Sequence, residues 1–368
     1  MPTRIQAAVA REKGQPWSVE DLELDDPQRD EVLVRVHGTG VCHTDLIARD
    51  QLYPIPQPIV GGHEGAGVVE RVGEAVRDVS VGDHVVLCNL SCGTCRLCLT
   101  GNPSYCLHFA ELNFAGTRPD GTQTLRHEDG PVHGSLFGQS SFATHALAKE
   151  RGVVVVDKEL PLDMLGPLGC GIQTGTGAVL NSLQPQAGSR LVVYGAGSVG
   201  LSAIMGAKIV GCHPIVAVEP FRNRRGLATE LGATHTIDPT DQDPVEAVKD
   251  LTGGEGADYS LECVGSADTF RQAVDSITQC GEAAMVGAAP MGTESAIDIS
   301  SLLFGRRVRG VVEGSSMPQV FIPRLIELWR AGLLPFDRLV EHHRLDQVND
   351  VFRGAFEEGS QLKPVLYM

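Results

Sequence analysis

Positive charge is scarce in this sequence: 30 Lys and Arg stand against 46 Asp and Glu in 368 residues, a formal charge of −16 at pH 7. That balance repels phosphate backbones and anionic lipid heads, so neither nucleic acid nor a membrane is expected as a partner. Internal repeats and low-complexity tracts are lacking as well. So are long apolar runs. The opening MPTRIQAAVAREKGQPW reaches charged residues at once, without an apolar stretch of signal-peptide length, and a cytoplasmic protein is expected. The tract most like a membrane span, 191–210, carries only Lys208 as a charge, but glycines at 195, 197, 200 and 206 interrupt it. Its opening Leu191-Val192-Val193-Tyr194 reads as a buried strand feeding a helix.

What is there is ordinary globular composition, 42% hydrophobic and 21% charged, at a length that predicts two domains. Residues 1–150 hold short β-type runs broken by glycine, at 31–36, 67–72, 84–88 and 142–147, which predicts a partly antiparallel β domain. From about 173 to 313 strand signals at 191–194, 215–219, 234–238, 259–263, 283–286 and 308–312 alternate with helical stretches. That alternation predicts a doubly wound, six-stranded parallel sheet. The segment 315–368, with a helix at 319–331 and a strand at 364–367, is assigned back to the first domain. The plan is therefore 1–172, with a lobe at 88–110, then 173–314, then 315–368. The glycine- and charge-rich stretch 115–134 reads as an exposed loop.

Ten cysteines in an expected reducing compartment, unevenly spaced, favour metal over disulfides. Cys92-x2-Cys95-x2-Cys98-x7-Cys106 offers four thiolates within fifteen residues, enough to surround one tetrahedral zinc ion at ~2.3 Å. An iron–sulfur cluster is the rival, but the ferredoxin run continues x3-C-P, whereas here seven residues intervene and Leu107 follows. A closed four-sulfur site has no vacancy for substrate. Its work is to pin a lobe. Cys212, Cys263 and Cys280 stand alone and read as small buried hydrophobes.

Gly195-Ala196-Gly197-Ser198-Val199-Gly200 follows a strand signal and opens a helix, as a dinucleotide-binding turn requires. Glycines there permit the tight turn and the approach of pyrophosphate to a helix N-terminus. Glu219 closes the next strand about twenty residues on, where a carboxylate accepts hydrogen bonds from ribose hydroxyls and repels a 2′-phosphate, which favours NAD over NADP. Arg222, Arg224 and Arg225 follow closely and pull the other way, Arg224 being placed with the cofactor contacts.

A third constellation is spread out: Cys42-His43-Thr44-Asp45, then Gly62-His63-Glu64, then Cys170. Two thiolates and an imidazole would balance zinc and leave one coordination place open. Spacing alone does not establish this, since a lone Cys42 or Cys170 is more often core and a lone His63 a satisfied polar residue.

Gly62-His63-Glu64-x2-Gly67-x5-Gly73-x2-Val76, the four-cysteine lobe, the GAGSVG turn and the overall layout together resemble the zinc-containing medium-chain alcohol dehydrogenases, over essentially the whole chain. The resemblance implies a GroES-like β-rich catalytic domain around a Rossmann domain, and two zinc ions per chain, one catalytic and one structural. Cys42, His63 and Cys170 would hold the catalytic ion, with Glu64 behind it. Thr44 would hydrogen-bond the reacting oxygen, and Asp45 would hold the far nitrogen of His63. His43 and Lys363 fall where relatives contact the cofactor pyrophosphate. Ile47 stands where the best-studied relatives carry a proton-relay histidine. An aliphatic residue there resembles the aryl and allylic alcohol dehydrogenases of bacteria, whose substrates are benzyl-type and terpenoid primary alcohols. Tyr53, Cys88, Phe114, Phe137 and Ala288 are the expected pocket lining, each with core packing as the plainer alternative. The expectation is thus an NAD-dependent primary alcohol dehydrogenase acting as a homodimer or homotetramer on a small-molecule alcohol or aldehyde. The alternatives are a glutathione-dependent formaldehyde dehydrogenase, a polyol or threonine dehydrogenase, a zinc-free quinone reductase, and a zinc-stabilised binding module.

Overall fold

The computed structural model describes residues 2–368, which divide into two compact units. The first comprises 2–170, 317–324 and 337–368; the second comprises 171–316 and 325–336. The tail is thus shared: 325–336 groups with the second unit, while the rest of 317–368 groups with the first.

The first unit is built on two sheets. One has five strands in the order Ile59–Val60, Thr3–Ala10, Ser18–Leu24, Leu125–His127, Gly130–Val132. The other runs Val153–Val156, His84–Leu87, Gly65–Val72, Glu31–Gly40, Lys363–Tyr367, Val340–Arg344, with His145–Lys149 also paired to Glu31–Gly40. Glu31–Gly40 is the hinge of the unit because side chains alternate across a strand. Val32, Val34 and Val36 pack with Val69, Val85 and Val153 on one face, while Leu33 packs with Ile5, Val9 and Leu22 on the other. The C-terminal strand pairs antiparallel with the far end of the same strand, Val365 opposite Gly40. That pairing carries Lys363 to the neighbourhood of Val41.

The stretch 115–134 is not the exposed loop expected from its composition. Leu125–His127 and Gly130–Val132 form a hairpin that joins the five-stranded sheet, with Leu125 and Val132 in its core. Its charge is turned inward at Arg118, which is buried and donates to Glu31 at 2.9 Å and Asp25 at 3.2 Å. Composition reads such a charge as solvated; the paired acids make its burial tolerable.

In the second unit the strands are β1 (Leu191–Tyr194), β2 (Ile215–Val218), β3 (His235–Ile237), β4 (Ala257–Glu262), β5 (Ile277–Met285) and β6 (Arg307–Gly310), all parallel, in the order β3-β2-β1-β4-β5-β6. This is the doubly wound arrangement, whose ligands bind at the carboxyl ends of the strands where the order reverses, here between β1 and β4. The apolar tract 191–210 is β1, wholly buried, followed after the turn by the helix α1 (Ser198–Ile209), buried from Gly200 to Ala207. Among the described residues no helix is long and apolar enough to cross a membrane.

Candidate active site

The four lobe cysteines meet. Cys92, Cys95, Cys98 and Cys106 are free thiols whose sulfurs all lie within 4.8 Å of one another. Separations of 3.9 Å for Cys92–Cys98, 3.5 Å for Cys95–Cys98 and 4.0 Å for Cys95–Cys106 match the edges of a tetrahedron of Zn–S bonds, about 3.8 Å for bonds of ~2.3 Å. Backbone N–H groups point at the sulfurs: Thr94 and Cys95 at Cys92, and Cys92 and His108 at Cys106. Donation from Thr94, side chain first and then backbone, brings the Cys92 thiol down to about 5. The donor set fits a structural zinc ion.

The second set also meets. Cys42, His63, Glu64 and Cys170, spread over 128 positions of sequence, place their ligand atoms within 4.8 Å of one another. Asp45 organises it. This buried carboxylate accepts from His63 Nδ1 at 3.0 Å and the Gly62 N–H at 3.0 Å through Oδ1, and from the Cys42 N–H at 3.0 Å through Oδ2. With Nδ1 committed to Asp45, Nε2 is the nitrogen left for a metal, its lone pair becoming available once a bound ion displaces the proton there, and among the described residues that buried atom has no hydrogen-bond partner. An orphaned buried imidazole nitrogen facing two thiols is what a metal would satisfy, so the residues fit zinc. Burial works against charge on His63, but Asp45 and Cys42 outweigh it and raise its pKa well above the ordinary value. Hydrogen bonding to Cys170, together with Lys363 and His63, takes Cys42 well below the usual thiol range despite burial. Metal binding at such a set releases protons.

Glu64 is buried behind these ligands. A side chain at Gly40 would collide with it, since a Cβ there would lie 1.9 Å from Glu64 Oε2. Burial, reinforced by Cys42 and opposed by Lys363, pushes the Glu64 carboxyl up to about 7. Lys363, expected as a pyrophosphate contact, has another partner. Its Nζ donates to both Glu64 oxygens, at 2.8 and 2.9 Å, and to the Val41 carbonyl at 3.2 Å, which uses its three protons. Burial opposes the ammonium, but Glu64 and the two thiols outweigh it and hold Lys363 above the ordinary lysine value. It is the buried counter-ion of Glu64. His43, by contrast, is exposed, its ring 5.9 Å from Phe356. Thr44 is half-buried in the short helix His43–Arg49, and Ile47 of that helix is fully buried.

Three of the expected lining residues form one aromatic cluster. Phe137 lies 4.7 Å from the His63 ring and 5.4 Å from Phe114, and Tyr53 packs edge-on against Phe114 at 5.8 Å. Phe109, not singled out in the sequence, joins them 6.0 Å from Phe137. Cys88 is not part of the cluster: its buried thiol donates to the Gly152 carbonyl at 3.4 Å. Ala288 belongs to the second unit, its backbone covering Gly265.

In the second unit the glycine-rich turn has the form the sequence implies. Gly195 is left-handed, with φ +90°, and a Cβ at Gly200 would lie 1.8 Å from the Gly195 carbonyl oxygen, so the helix start packs directly on the turn. Space over Gly197 is open to 4 Å, and no side chain caps the N-terminus of α1. That is a fit for a pyrophosphate. Glu219 is the residue after β2, which ends at Val218, and accepts from the Ala196 N–H at 2.7 Å and the Phe221 N–H at 3.0 Å, leaving each oxygen a further lone pair. Arg224 lies over the Phe221 ring at 5.0 Å, and Arg225 is committed to Asp238 at 2.8 Å. On the other flank of β1, Glu262 accepts from Val264 N–H, Gly265 N–H and the Thr269 hydroxyl, each at 2.8 Å. Nothing in the sequence announces Glu262, which belongs to no spacing motif.

Two family descriptions match the chain: "Alcohol dehydrogenase GroES-like domain" over residues 28–158 and "Zinc-binding dehydrogenase" over residues 198–329. A geraniol dehydrogenase from Castellaniella defragrans is 48% identical over 98% of this chain and 97% of its own length. The crystal structure of a benzyl alcohol dehydrogenase from Acinetobacter calcoaceticus is 46% identical, with a TM-score of 0.96 over 100% of this chain and 99% of that one. An alcohol dehydrogenase zinc-binding domain protein from Burkholderia ambifaria is 49% identical, with a TM-score of 0.96 over the whole of both chains. With zinc-fitting donor sets in one unit and a dinucleotide turn in the other, the chain belongs to the zinc-binding medium-chain alcohol dehydrogenases.

Proposed function

We propose that this protein reversibly oxidises aromatic or allylic primary alcohols to aldehydes, with NAD as the hydride acceptor and two zinc ions per chain. The observation that carries the reading is the convergence of half-buried Cys42 with buried His63 and Cys170, with His63 Nε2 left without a partner among the described residues and Asp45 fixing the ring from behind. Zinc there supplies a Lewis acid that makes an alcohol proton easier to lose, and NAD supplies the acceptor for hydride.

The chain's own residues do the rest. Asp45 holds the imidazole in one tautomer and, through the Cys42 and Gly62 N–H groups, fixes two ligand-bearing segments with a single carboxylate. Thr44, two residues after Cys42, hydrogen-bonds the substrate hydroxyl and hands its own hydroxyl proton outward as it receives the substrate's. Ile47 cannot pass it on, so the proton leaves by water or by the exposed His43. Phe137, Phe114 and Tyr53, packed edge to face, offer an apolar aromatic surface suited to a benzyl or prenyl group. Glu219 takes the adenosine ribose hydroxyls and disfavours a 2′-phosphate. The geraniol and benzyl alcohol dehydrogenases among the relatives support the substrate class.

The test is kcat/KM for geraniol, benzyl alcohol, ethanol and S-hydroxymethylglutathione with NAD and with NADP, beside a metal analysis. Benzyl alcohol or geraniol should lead with NAD at two zinc ions per chain. Preference for the glutathione adduct, or full activity without metal, rejects the reading.

A further inference from the structure

The segment 135–140 holds an unusual backbone. Ser135, Phe137, Gly138 and Ser140 all have left-handed φ, at 58°, 50°, 68° and 50°. Only one of these four is glycine, and each of the others is a sparsely populated state that persists where its surroundings over-determine it. The Ser140 hydroxyl donates to the Val60 carbonyl at 2.8 Å and accepts from the Leu136 N–H at 3.0 Å, which holds the turn in place.

That turn aims two side chains at the His63 loop. Phe137 stacks on the imidazole. Gln139, fully buried, does something more specific. Beyond it the backbones run side by side, with the Phe142 N–H on the Gly61 carbonyl and the Ser141 N–H on the Gly62 carbonyl, both at 2.9 Å. There the main-chain pairing stops and the Gln139 side chain continues it. Nε2 donates to the His63 carbonyl at 2.9 Å, and Oε1 accepts from the Gly65 N–H at 2.9 Å. The amide therefore spans Glu64 and ties down the backbone on both sides of it. Gly62 makes the approach possible: it is left-handed, with φ +87°, and a Cβ there would lie 2.2 Å from the Phe142 nitrogen.

We infer that Gln139 is a positioning residue for the catalytic metal, holding His63 and Glu64 in register with Cys42 and Cys170. Asp45 fixes the His63 ring from its Nδ1 side, and Gln139 fixes the backbone from which that ring projects. The task needs a donor and an acceptor at the end of a side chain of this length. An ionised Glu lacks the donor, and Met offers no donor and only a weakly accepting sulfur. The inference rests on the proposed zinc role of the His63 site, and the four-cysteine lobe of the same chain serves as its internal control.

The experiment follows zinc release from the full-length holoprotein to a chromogenic chelator, for wild type, Gln139→Met and Gln139→Glu, with melting temperature and the visible spectrum of the cobalt-substituted protein alongside. In wild type two kinetic phases are expected. Both variants should release the catalytic ion about 10–100-fold faster, the range for lost outer-shell partners, while release from the cysteine lobe changes less than about twofold. The cobalt bands of the catalytic site should shift in Gln139→Glu, which keeps the side-chain volume if Gln139→Met folds poorly. Unchanged release and spectrum in a wild type that holds two ions overturns this inference alone. Equal acceleration of both phases with a lower melting temperature overturns it in favour of a general packing role. A wild type holding one ion overturns the metal reading beneath it.

Discussion

The Lys363 ammonium grips both oxygens of the Glu64 carboxylate from 299 residues away, and both side chains are withdrawn from solvent. A pair this buried is costly to form and costlier to break, because removing one partner leaves an uncompensated charge in the interior. Lys363→Met should therefore destabilise the first unit by about 3–5 kcal/mol, and adding Glu64→Gln should restore most of that loss. Urea denaturation of the two single variants and the double variant reads the coupling. Additive losses would mean that the two groups do not act on each other.

Asp45 is the next point of leverage, because one carboxylate holds the His63 ring and the Cys42 and Gly62 amides. Asp45→Asn keeps the shape but has one acceptor oxygen for three donors on two sides, so its NH2 must face either the Cys42 N–H or the His63 Nδ1–H, and the negative charge that holds the proton on Nδ1 is gone. We expect zinc affinity at the catalytic set to fall about 10–100-fold, with kcat falling in step and the lobe zinc retained. Equilibrium dialysis against a competing chelator measures it. Wild-type affinity in the variant would show that the imidazole needs no such partner.

How much of this was legible in the sequence follows from where each partner sits along the chain. β1 was read at its observed bounds because a strand buried on both faces is a continuous apolar run. β5 was read six residues short, from 283, because its first half carries the polar Thr278-Gln279-Cys280-Gly281, with Cys280 left-handed. The lobe cysteines are local and declared themselves by spacing. Cys42, His63 and Cys170 did not, and only the resemblance joined them. The bond of Lys363 to Glu64, a lysine that the resemblance places at the pyrophosphate, and the role of Gln139 lie beyond either route. Their partners lie 299 and 76 residues away, and a lone lysine or glutamine carries no period or motif that announces a buried bond.

Glu219 follows β2 directly and already makes one hydrogen bond to the glycine-rich turn. Replacing it with alanine removes a ribose acceptor and also frees the Ala196 N–H. The first loss falls on both cofactors, but the carboxylate's repulsion of a 2′-phosphate falls on NADP alone, so Glu219→Ala should weaken NAD about tenfold and NADP less, or even tighten it. Titration of the reduced cofactors by fluorescence measures both. An equal loss for the two would remove Glu219 from cofactor discrimination and leave it as a brace for the turn.

The second unit has its own pH-sensitive brace. Arg190 meets Asp258 with two side-chain nitrogens, at 2.8 and 3.2 Å, and its backbone N–H adds a third bond at 2.8 Å. Burial would raise the Asp258 pKa, but these donors outweigh it and hold the carboxyl below its ordinary 3.8. A carboxyl whose folded pKa is depressed gives stability that is complete above the unfolded value and is lost as pH falls through the folded one. Asp258→Asn should therefore cost about 1–3 kcal/mol at pH 7, the range for hydrogen bonds to a charged group. That cost should shrink steadily below about pH 4 as the wild-type carboxyl takes up its proton. Urea midpoints of the two proteins between pH 7 and pH 3 test this. A gap that stays constant across the range would mean that Asp258 contributes by shape and not by charge.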